Sequence, residues 1–203
     1  MDSYFAVAFN TENEIVIERS RFITHVFYVE TEKDAKDALS AIKKKYQDAT
    51  HNCYAFVTDF GLTSRSSDDG EPSGTAGAPI MEVLKNQKLI NTLVVVTRYF
   101  GGIKLGAGGL VRAYSRSAAE GVKKGGAKEF FNCQKLKACL SYDEYNLFLR
   151  EIQPHFYKHL NTDFGEDITV EFCVKKVAYK SFIDKFNGVF YDKTLENIGE
   201  DFY

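Results

Sequence analysis

The chain has 203 residues, of which 44% are hydrophobic and 27% are charged, and its formal net charge at pH 7 is −2. This length and composition are typical of a globular protein with one large or two small domains. They exclude a nucleic-acid-binding surface that covers the whole protein, which needs a basic balance, and a membrane-spanning helix, which needs a longer apolar run.

Four cysteines, Cys53, Cys133, Cys139 and Cys173, form no CxxC pair and lie mostly among apolar residues. This pattern favours buried thiols in a reducing compartment over a disulfide framework or a zinc site. The first ten residues lack the basic segment and the apolar core of a signal peptide. We therefore expect a cytoplasmic protein with no membrane partner.

The first third of the chain predicts strands and one helix. Residues 14–18 and 22–29 have the alternation of strands, and residues 52–58 have the same pattern, with Cys53 and Val57 on one face. Between them, Thr31 predicts the N-cap of a helix that runs to about Tyr46. Acids in its first turn and lysines in its last turn favour that assignment, because they complement the helix dipole.

A long acidic loop follows, at residues 63–79. Its turn-forming residues predict a surface position, and a helix is expected to begin between Thr75 and Pro79 and to run to Asn86. The carboxylates of this loop have the chemistry of a Mg²⁺ site, although solvated acids in a surface loop are the simpler explanation, which we favour. The loop residues that we expect to line a cleft are Asp68, Asp69, Glu71, Ser73 and Thr75.

The central feature of the sequence is a buried strand that begins at Leu93, followed by a loop with five glycines and a helix from about Gly109 to Lys124. A glycine loop that leads into a helix directs backbone N–H groups and the positive end of the helix dipole at one point, which favours a phosphate. The alternative is that the glycines serve tight turns and close packing without any ligand. The candidate phosphate-binding residues are Arg98, Tyr99, Gly101, Gly102, Lys104, Gly106, Gly108, Gly109, Arg112 and Arg116.

Charge is distributed unevenly along the chain. Residues 98–128 contain seven Lys or Arg and one acid, whereas residues 59–82 contain five acids and one Arg. A local basic patch is therefore compatible with the near-neutral total.

The strand and helix pattern begins again near Lys135, which predicts one domain at residues 1–132 and a second at residues 133–203. Asp143 is expected to cap the first helix of the second domain, and Pro154 is expected to end or kink it. The order strand–helix–strand–strand–helix–strand is that of ferredoxin-like domains. The predicted strands are 136–142, 162–164, 168–177 and one beginning near 189–191, and the second helix is 179–186.

Three segments together resemble the IMPACT (YigZ-like) family: residues 19–23 (Arg-Ser-Arg-Phe-Ile), residues 68–77 (Asp-Asp-Gly-Glu-Pro-Ser-Gly-Thr-Ala-Gly) and residues 96–114, which contain the glycine loop. The resemblance covers about residues 15–125. It implies an α+β protein whose first domain is ribosomal-protein-domain-2-like and whose second, ferredoxin-like domain is similar to one in elongation factor G. Eukaryotic relatives regulate translation by competing for an activator of a starvation-responsive kinase. They make that contact with a further N-terminal domain for which we expect no room here, so we do not transfer it.

Two functions remain open. The favoured one is a binding protein for RNA or for a ribosome-associated factor, in which Arg98, Lys104, Arg112 and Arg116 contact phosphates and neighbouring aromatic residues stack on bases. The alternative is an enzyme that acts on a phosphorylated small molecule or on RNA, with Mg²⁺ held by the acidic loop. No nucleophile and base are paired in the sequence, so we assign no catalytic residue.

Overall fold

The computed structural model describes residues 1–203, which form two compact units, residues 4–129 and residues 1–3 with 130–203. The protein is α+β, with ten strands in two sheets and five α-helices. The strands are β1 Ser3–Val7, β2 Thr11–Ile17, β3 Ser20–Tyr28, β4 His51–Thr58, β5 Thr63–Ser67, β6 Thr92–Tyr99, β7 Ala127–Leu140, β8 Lys158–Phe164, β9 Ile168–Lys175 and β10 Glu196–Phe202. The α-helices are α1 Glu32–Lys45, α2 Gly77–Asn86, α3 Gly106–Gly125, α4 Tyr142–Glu151 and α5 Tyr179–Val189.

The larger unit is built on one antiparallel sheet with the order β2-β3-β6-β4-β5. Its middle strand, β6, is buried on both faces, as its run of β-branched residues predicts. Residues of α2 and α3 pack with Val94 and Val96 on one face, and residues of α1 pack with Leu93 and Val95 on the other. The sheet therefore lies between two helical layers, and the end of β6 leads directly into the glycine loop.

The helices of this unit begin where short-range signals place them. Thr31 accepts a hydrogen bond from the Asp34 backbone N–H, and the Asp34 side chain accepts one from the Thr31 N–H, so α1 has the predicted N-cap as a capping box. Helix α2 starts inside the predicted interval. Helix α3 starts three residues earlier than predicted, at Gly106, and ends at Gly125, followed by the C-cap residue Gly126, whose φ is +65°.

Strand β5 corrects one prediction. Its sequence, Thr-Ser-Arg-Ser-Ser, lacks apolar residues, and we expected it to belong to the acidic loop. It pairs with β4 at the edge of the sheet, where polar side chains are tolerated on both faces.

The smaller unit has the predicted βαββαβ order, with β7, β9, β8 and β10 in one antiparallel sheet arranged β10-β7-β9-β8. Three phenylalanines of its core, Phe148, Phe172 and Phe186, are fully buried. Residues 1–3 join this unit, and the Asp2 carbonyl accepts a hydrogen bond from the Asn132 N–H.

Several details of the smaller unit differ from the prediction. Ser141, and not Asp143, caps α4, because its hydroxyl accepts from the Glu144 N–H in a second capping box. The last strand begins at Glu196 and not near Val189, which ends α5. Helix α4 does end before Pro154, which lies in a short 3₁₀ turn.

The cysteines are free thiols. Cys53, Cys133 and Cys173 are buried as expected, but Cys139 is exposed on an alternating strand. No helix of the protein combines the length and the apolar character needed to cross a membrane.

The division into two units predicts that each folds alone. The predicted boundary at residues 132/133 lies within β7, so we place the test at the observed limit of the larger unit. We expect a fragment of residues 4–129 to unfold cooperatively with urea, because it retains its whole sheet and three helices. Circular dichroism at increasing urea measures this, and a fragment without a sigmoidal transition would show that the two units stabilise each other.

Candidate functional site

The carboxylate of Asp68 fixes the conformation of the acidic loop at the start of α2. Its Oδ1 accepts from the N–H groups of Ala76 (3.0 Å) and Gly77 (2.8 Å), and its Oδ2 accepts from Gly74 (2.8 Å). Burial acts to raise the pKa of Asp68, but these three bonds outweigh it and hold the pKa below its usual value. Asp68 thus caps α2 from a distance, in place of the residue that directly precedes the helix.

The adjacent carboxylate, Asp69, joins the loop to the rest of the unit. Its Oδ1 accepts from Lys43 Nζ at 2.6 Å and its Oδ2 from the Asn52 N–H at 2.7 Å. The backbone carbonyl of Asp69 lies 2.8 Å from Nδ1 of His51. Because a carbonyl only accepts, Nδ1 of His51 carries a proton, and this histidine, the first residue of β4, fixes the loop to the sheet.

These contacts do not fit the Mg²⁺ site that the three acids suggest. Asp68 and Asp69 bind backbone and lysine donors, and the third acid, Glu71, binds an arginine. The structure contains no group of three or more His, Cys, Asp or Glu that is arranged to hold a metal ion. The two other predicted loop residues also lack the contacts of a metal site. Thr75 donates to the Pro72 carbonyl at 2.6 Å, and Ser73 is exposed to solvent.

Glu71 and Arg98 form a buried ion pair at the centre of the site. Arg98 Nη1 donates to Glu71 Oε1 at 2.6 Å, and the two side chains are only 6% and 4% exposed. The same carboxylate oxygen accepts from the Tyr114 hydroxyl of α3 at 2.8 Å, and Oε2 lies 3.8 Å from Nε2 of His51. The pair therefore connects the end of β6, the acidic loop and α3.

Aromatic rings enclose the guanidinium of Arg98. Its centre lies 5.5 Å from the ring centroid of Phe22 and 5.6 Å from that of Phe100. Its Nη2 donates to the Ser20 hydroxyl at 3.3 Å, while its Nε is buried without a partner. This arginine was predicted to contact phosphate, but its charge is directed at Glu71.

The neighbouring titratable groups are kept neutral. Burial is the main reason that the pKa of Tyr114 is raised and that the pKa of Cys53 is raised to about 12, and the Cys53 thiol lies 3.3 Å from the Tyr114 hydroxyl. A thiol with so high a pKa is protonated at neutral pH and is a poor nucleophile. Tyr114 and Cys53 are thus structural partners of the ion pair.

The glycine loop combines close packing with tight turns. A Cβ atom at Gly101 would clash with the backbone of Arg19 and Ser20, so only glycine fits there. Gly102 and Gly106 have φ angles of +86° and +69°, which favour glycine over other residues. Helix α3 begins at Gly106 with no side-chain cap and no acid in its first turn.

The acidic loop and the glycine loop face each other across a pocket of about 280 Å³. Glu71 and Pro72 contribute one wall and the start of α3 contributes another, with Arg98 and Phe100 between them. The remaining lining residues are Lys104, Leu105, Gly106, Ala107 and Leu110. Most of the side chains that line the pocket are apolar, so the pocket suits a flat or apolar group better than an anion.

A second depression, of about 560 Å³, lies beside this pocket and shares Lys104 and Leu105 with it. Its cations are Lys104, Arg112 and Arg116, all of which are exposed. Its other lining residues are Ile17, Glu18, Ile103, Gly109 and Ala113. Three of the four cations that the sequence analysis proposed for phosphate are thus brought together, whereas the fourth, Arg98, lines only the first pocket.

Some predicted site residues lie in neither cavity. Tyr99 donates its hydroxyl to Asp48 at 2.8 Å, and its ring lies under the guanidinium of Arg21. The structure also adds residues that sequence reasoning did not assign to the site, notably the apolar residues Pro72 and Leu110, which line the first pocket from different walls. The sequence contains one signal for the pair of Glu71 and Arg98, namely the opposite charges of residues 59–82 and residues 98–128. The predicted residues outside both cavities are Tyr99, Gly101, Gly102, Gly108, Asp68, Asp69, Ser73 and Thr75.

We predict that Asp68→Asn lowers the free energy of unfolding by about 1–2 kcal/mol at pH 7, since an amide cannot replace both accepting oxygens. The folded-state pKa of Asp68 is lowered, so its contribution is present above the unfolded-state pKa of about 3.9 and is lost as pH falls through the folded-state pKa. The variant and the natural protein should therefore converge in acid. Urea titrations at pH 7 and in acid measure this, with the exposed Glu82→Gln of α2 as control. Equal stability at pH 7 would contradict the capping role.

We predict that Glu71→Gln destabilises the larger unit by about 3–5 kcal/mol, because it leaves the buried Arg98 charge without its partner. The double change Glu71→Gln with Arg98→Met should cost less than Glu71→Gln alone. The control is Glu120→Gln, which breaks the exposed pair with Arg116 and should cost at most about 1 kcal/mol. Urea denaturation measures the free energy of unfolding of each variant. Similar losses for Glu71→Gln and Glu120→Gln would contradict the importance of the buried pair.

Comparison with known proteins identifies the family. The family model of the Impact N-terminal domain matches residues 18–122. The chain is 54% identical over 130 residues to the IMPACT family member YvyE of Bacillus subtilis (strain 168). The aligned region covers 64% of this chain and 60% of that protein. It is 38% identical over 111 residues to the IMPACT family member YigZ of Escherichia coli (strain K12), which covers 53% of this chain and 54% of that protein.

A solved structure, described as a crystal structure of a hypothetical protein, matches 99% of this chain and 100% of its own chain, with a TM-score of 0.64 and 26% identity. By contrast, the chain spans about three fifths or less of the length of the two curated relatives. The family model extends from the turn before β3 into the last turns of α3, which includes both loops of the site. The chain therefore belongs to the IMPACT family.

Proposed function

We propose that the protein binds single-stranded RNA through phosphate contacts from Lys104, Arg112 and Arg116. The observation that carries this proposal is that three exposed cations from the glycine loop and α3 line one depression. Arginine and lysine that converge on a groove are the usual means by which proteins hold a nucleic-acid backbone.

The electrostatics of the depression support an anionic ligand. Neither Lys104 nor Arg112 forms an ion pair, so both charges are available, whereas Arg116 is 2.8 Å from Glu120. The uncapped start of α3 adds the positive end of a helix dipole on the same side. Glu18 is the one acid in the lining. We therefore assign most of the phosphate affinity to Lys104 and Arg112.

Arg98 has a different role in this proposal. Its buried pairing with Glu71 makes it a positioning residue that holds the acidic loop against the start of α3. The alternative of a magnesium-dependent enzyme is not favoured, because the carboxylates that it requires bind loop and sheet groups instead.

Family membership supports a role in translation, since the resemblance implies that eukaryotic relatives regulate it. We propose a cytoplasmic protein that acts on RNA or on a ribosome-associated partner. The strand order β10-β7-β9-β8 supports the ferredoxin-like assignment of the smaller unit. For the larger unit we retain the ribosomal-protein-domain-2-like assignment, supported by its five-stranded sheet between helices.

Replacing Lys104 by alanine tests the phosphate contact. Each neutralised phosphate contributes about −0.7 to the slope of log affinity against log salt for single strands. Lys104→Ala should weaken all RNA sequences about equally and flatten the slope by a little under one unit. Fluorescence anisotropy with a labelled single-stranded RNA at several salt concentrations measures both quantities.

The matched control is Lys44→Ala, which removes the same charge from an exposed position on α1, the helix that covers the opposite face of the sheet. Lys44→Ala should leave both affinity and slope unchanged. Absence of RNA binding at low salt, or equal effects of the two substitutions, would contradict the proposed function.

A further inference from the structure

We infer that the pocket between the acidic loop and α3 takes one unstacked nucleobase of the bound strand, so that the site selects single-stranded over duplex RNA without selecting a sequence. This inference rests on the proposed function, because the phosphates of the strand must be held in the neighbouring basic depression. It assigns a role to the cavity that the phosphate contacts leave unused.

The two cavities are arranged as a nucleotide requires. They share Lys104 and Leu105, so a phosphate in the basic depression lies beside the entrance of the apolar pocket. The pocket volume of about 280 Å³ lies just below the usual range for ligand pockets, about 300–1,000 Å³. A single aromatic base suits this size better than a larger ligand does.

Phe100 provides a stacking surface in the pocket. Phe100 is 47% exposed although it is a large aromatic residue, and the guanidinium of Arg98 lies 5.6 Å from the centroid of its ring. The Phe100 backbone N–H donates to the Thr50 hydroxyl at 3.1 Å, which fixes the backbone there. A supported and partly exposed ring is the kind of platform on which proteins stack nucleobases.

Two of the three polar side chains of the pocket, Glu71 and Arg98, are buried and bonded to each other, and the third, Lys104, is assigned to the phosphate. Both terminal nitrogens of Arg98 donate to Glu71 and Ser20, and the Glu71 carboxylate also accepts from Tyr114. They are therefore not available to recognise the edge of a base. Stacking without edge recognition accepts any base, but it requires the base to be out of a duplex, where both of its faces are covered.

The test compares two labelled hexamers, one of uridine and one of the same backbone that is fully abasic, at low salt. We expect Phe100→Ala to weaken binding of the uridine hexamer about 5- to 150-fold, the range for loss of one base–aromatic stack. The abasic hexamer should bind the natural protein and Phe100→Ala equally. A matched control is Phe9→Ala, an exposed phenylalanine at the opposite end of α3, whose backbone bonds to Gly125.

A second variant, Ala107→Leu, fills the pocket while keeping Phe100 and every charge, and it should also weaken only the uridine hexamer. Circular dichroism establishes that the variants are folded. Equal binding of both hexamers by the natural protein, or equal binding of uridine and duplex RNA, would overturn the base pocket and leave the proposed function intact. If the natural protein binds neither hexamer, the proposed function is overturned as well.

Discussion

The buried pair of Glu71 and Arg98 is the interaction on which the site depends. Arg98 is fixed by β6, the most buried strand of the sheet, whereas Glu71 belongs to a polar loop that reaches the apolar core at Ala76, five residues further along the chain. Placing two charges out of water is costly unless they meet with good geometry, so the pair allows few alternative positions for the loop. Tyr114 extends the same constraint to α3, because its hydroxyl donates to the same carboxylate.

This constraint separates the cations of the basic segment into two classes. Arg98 is enclosed by aromatic rings and neutralised, which makes it part of the scaffold. Lys104 and Arg112 are exposed and unpaired, which makes them available to an anion. All three lie in one segment of excess positive charge, and their roles differ only because one is at the end of a buried strand.

Sequence patterns predicted what depends on near neighbours. The capping box at Thr31, the buried run of β6 and the interval for the start of α2 follow from residues within a few positions of each other. The patterns failed where a strand has no apolar alternation and where a partner lies far along the chain. Strand β5 has no hydrophobic alternation because it is a polar edge strand, and the burial of Arg98 depends on Glu71, 27 residues earlier.

The glycine loop shows why its two explanations, packing and ligand binding, are compatible. Gly101 is required because the chain passes against the backbone of Arg19, and Gly102 and Gly106 are favoured by their positive φ angles. These are structural demands that need no ligand. Their consequence is that the chain turns twice within a few residues, and this places Lys104 at the rim shared by the apolar pocket and the basic depression. The tight turns thus set the position of the one charge that both cavities have in common.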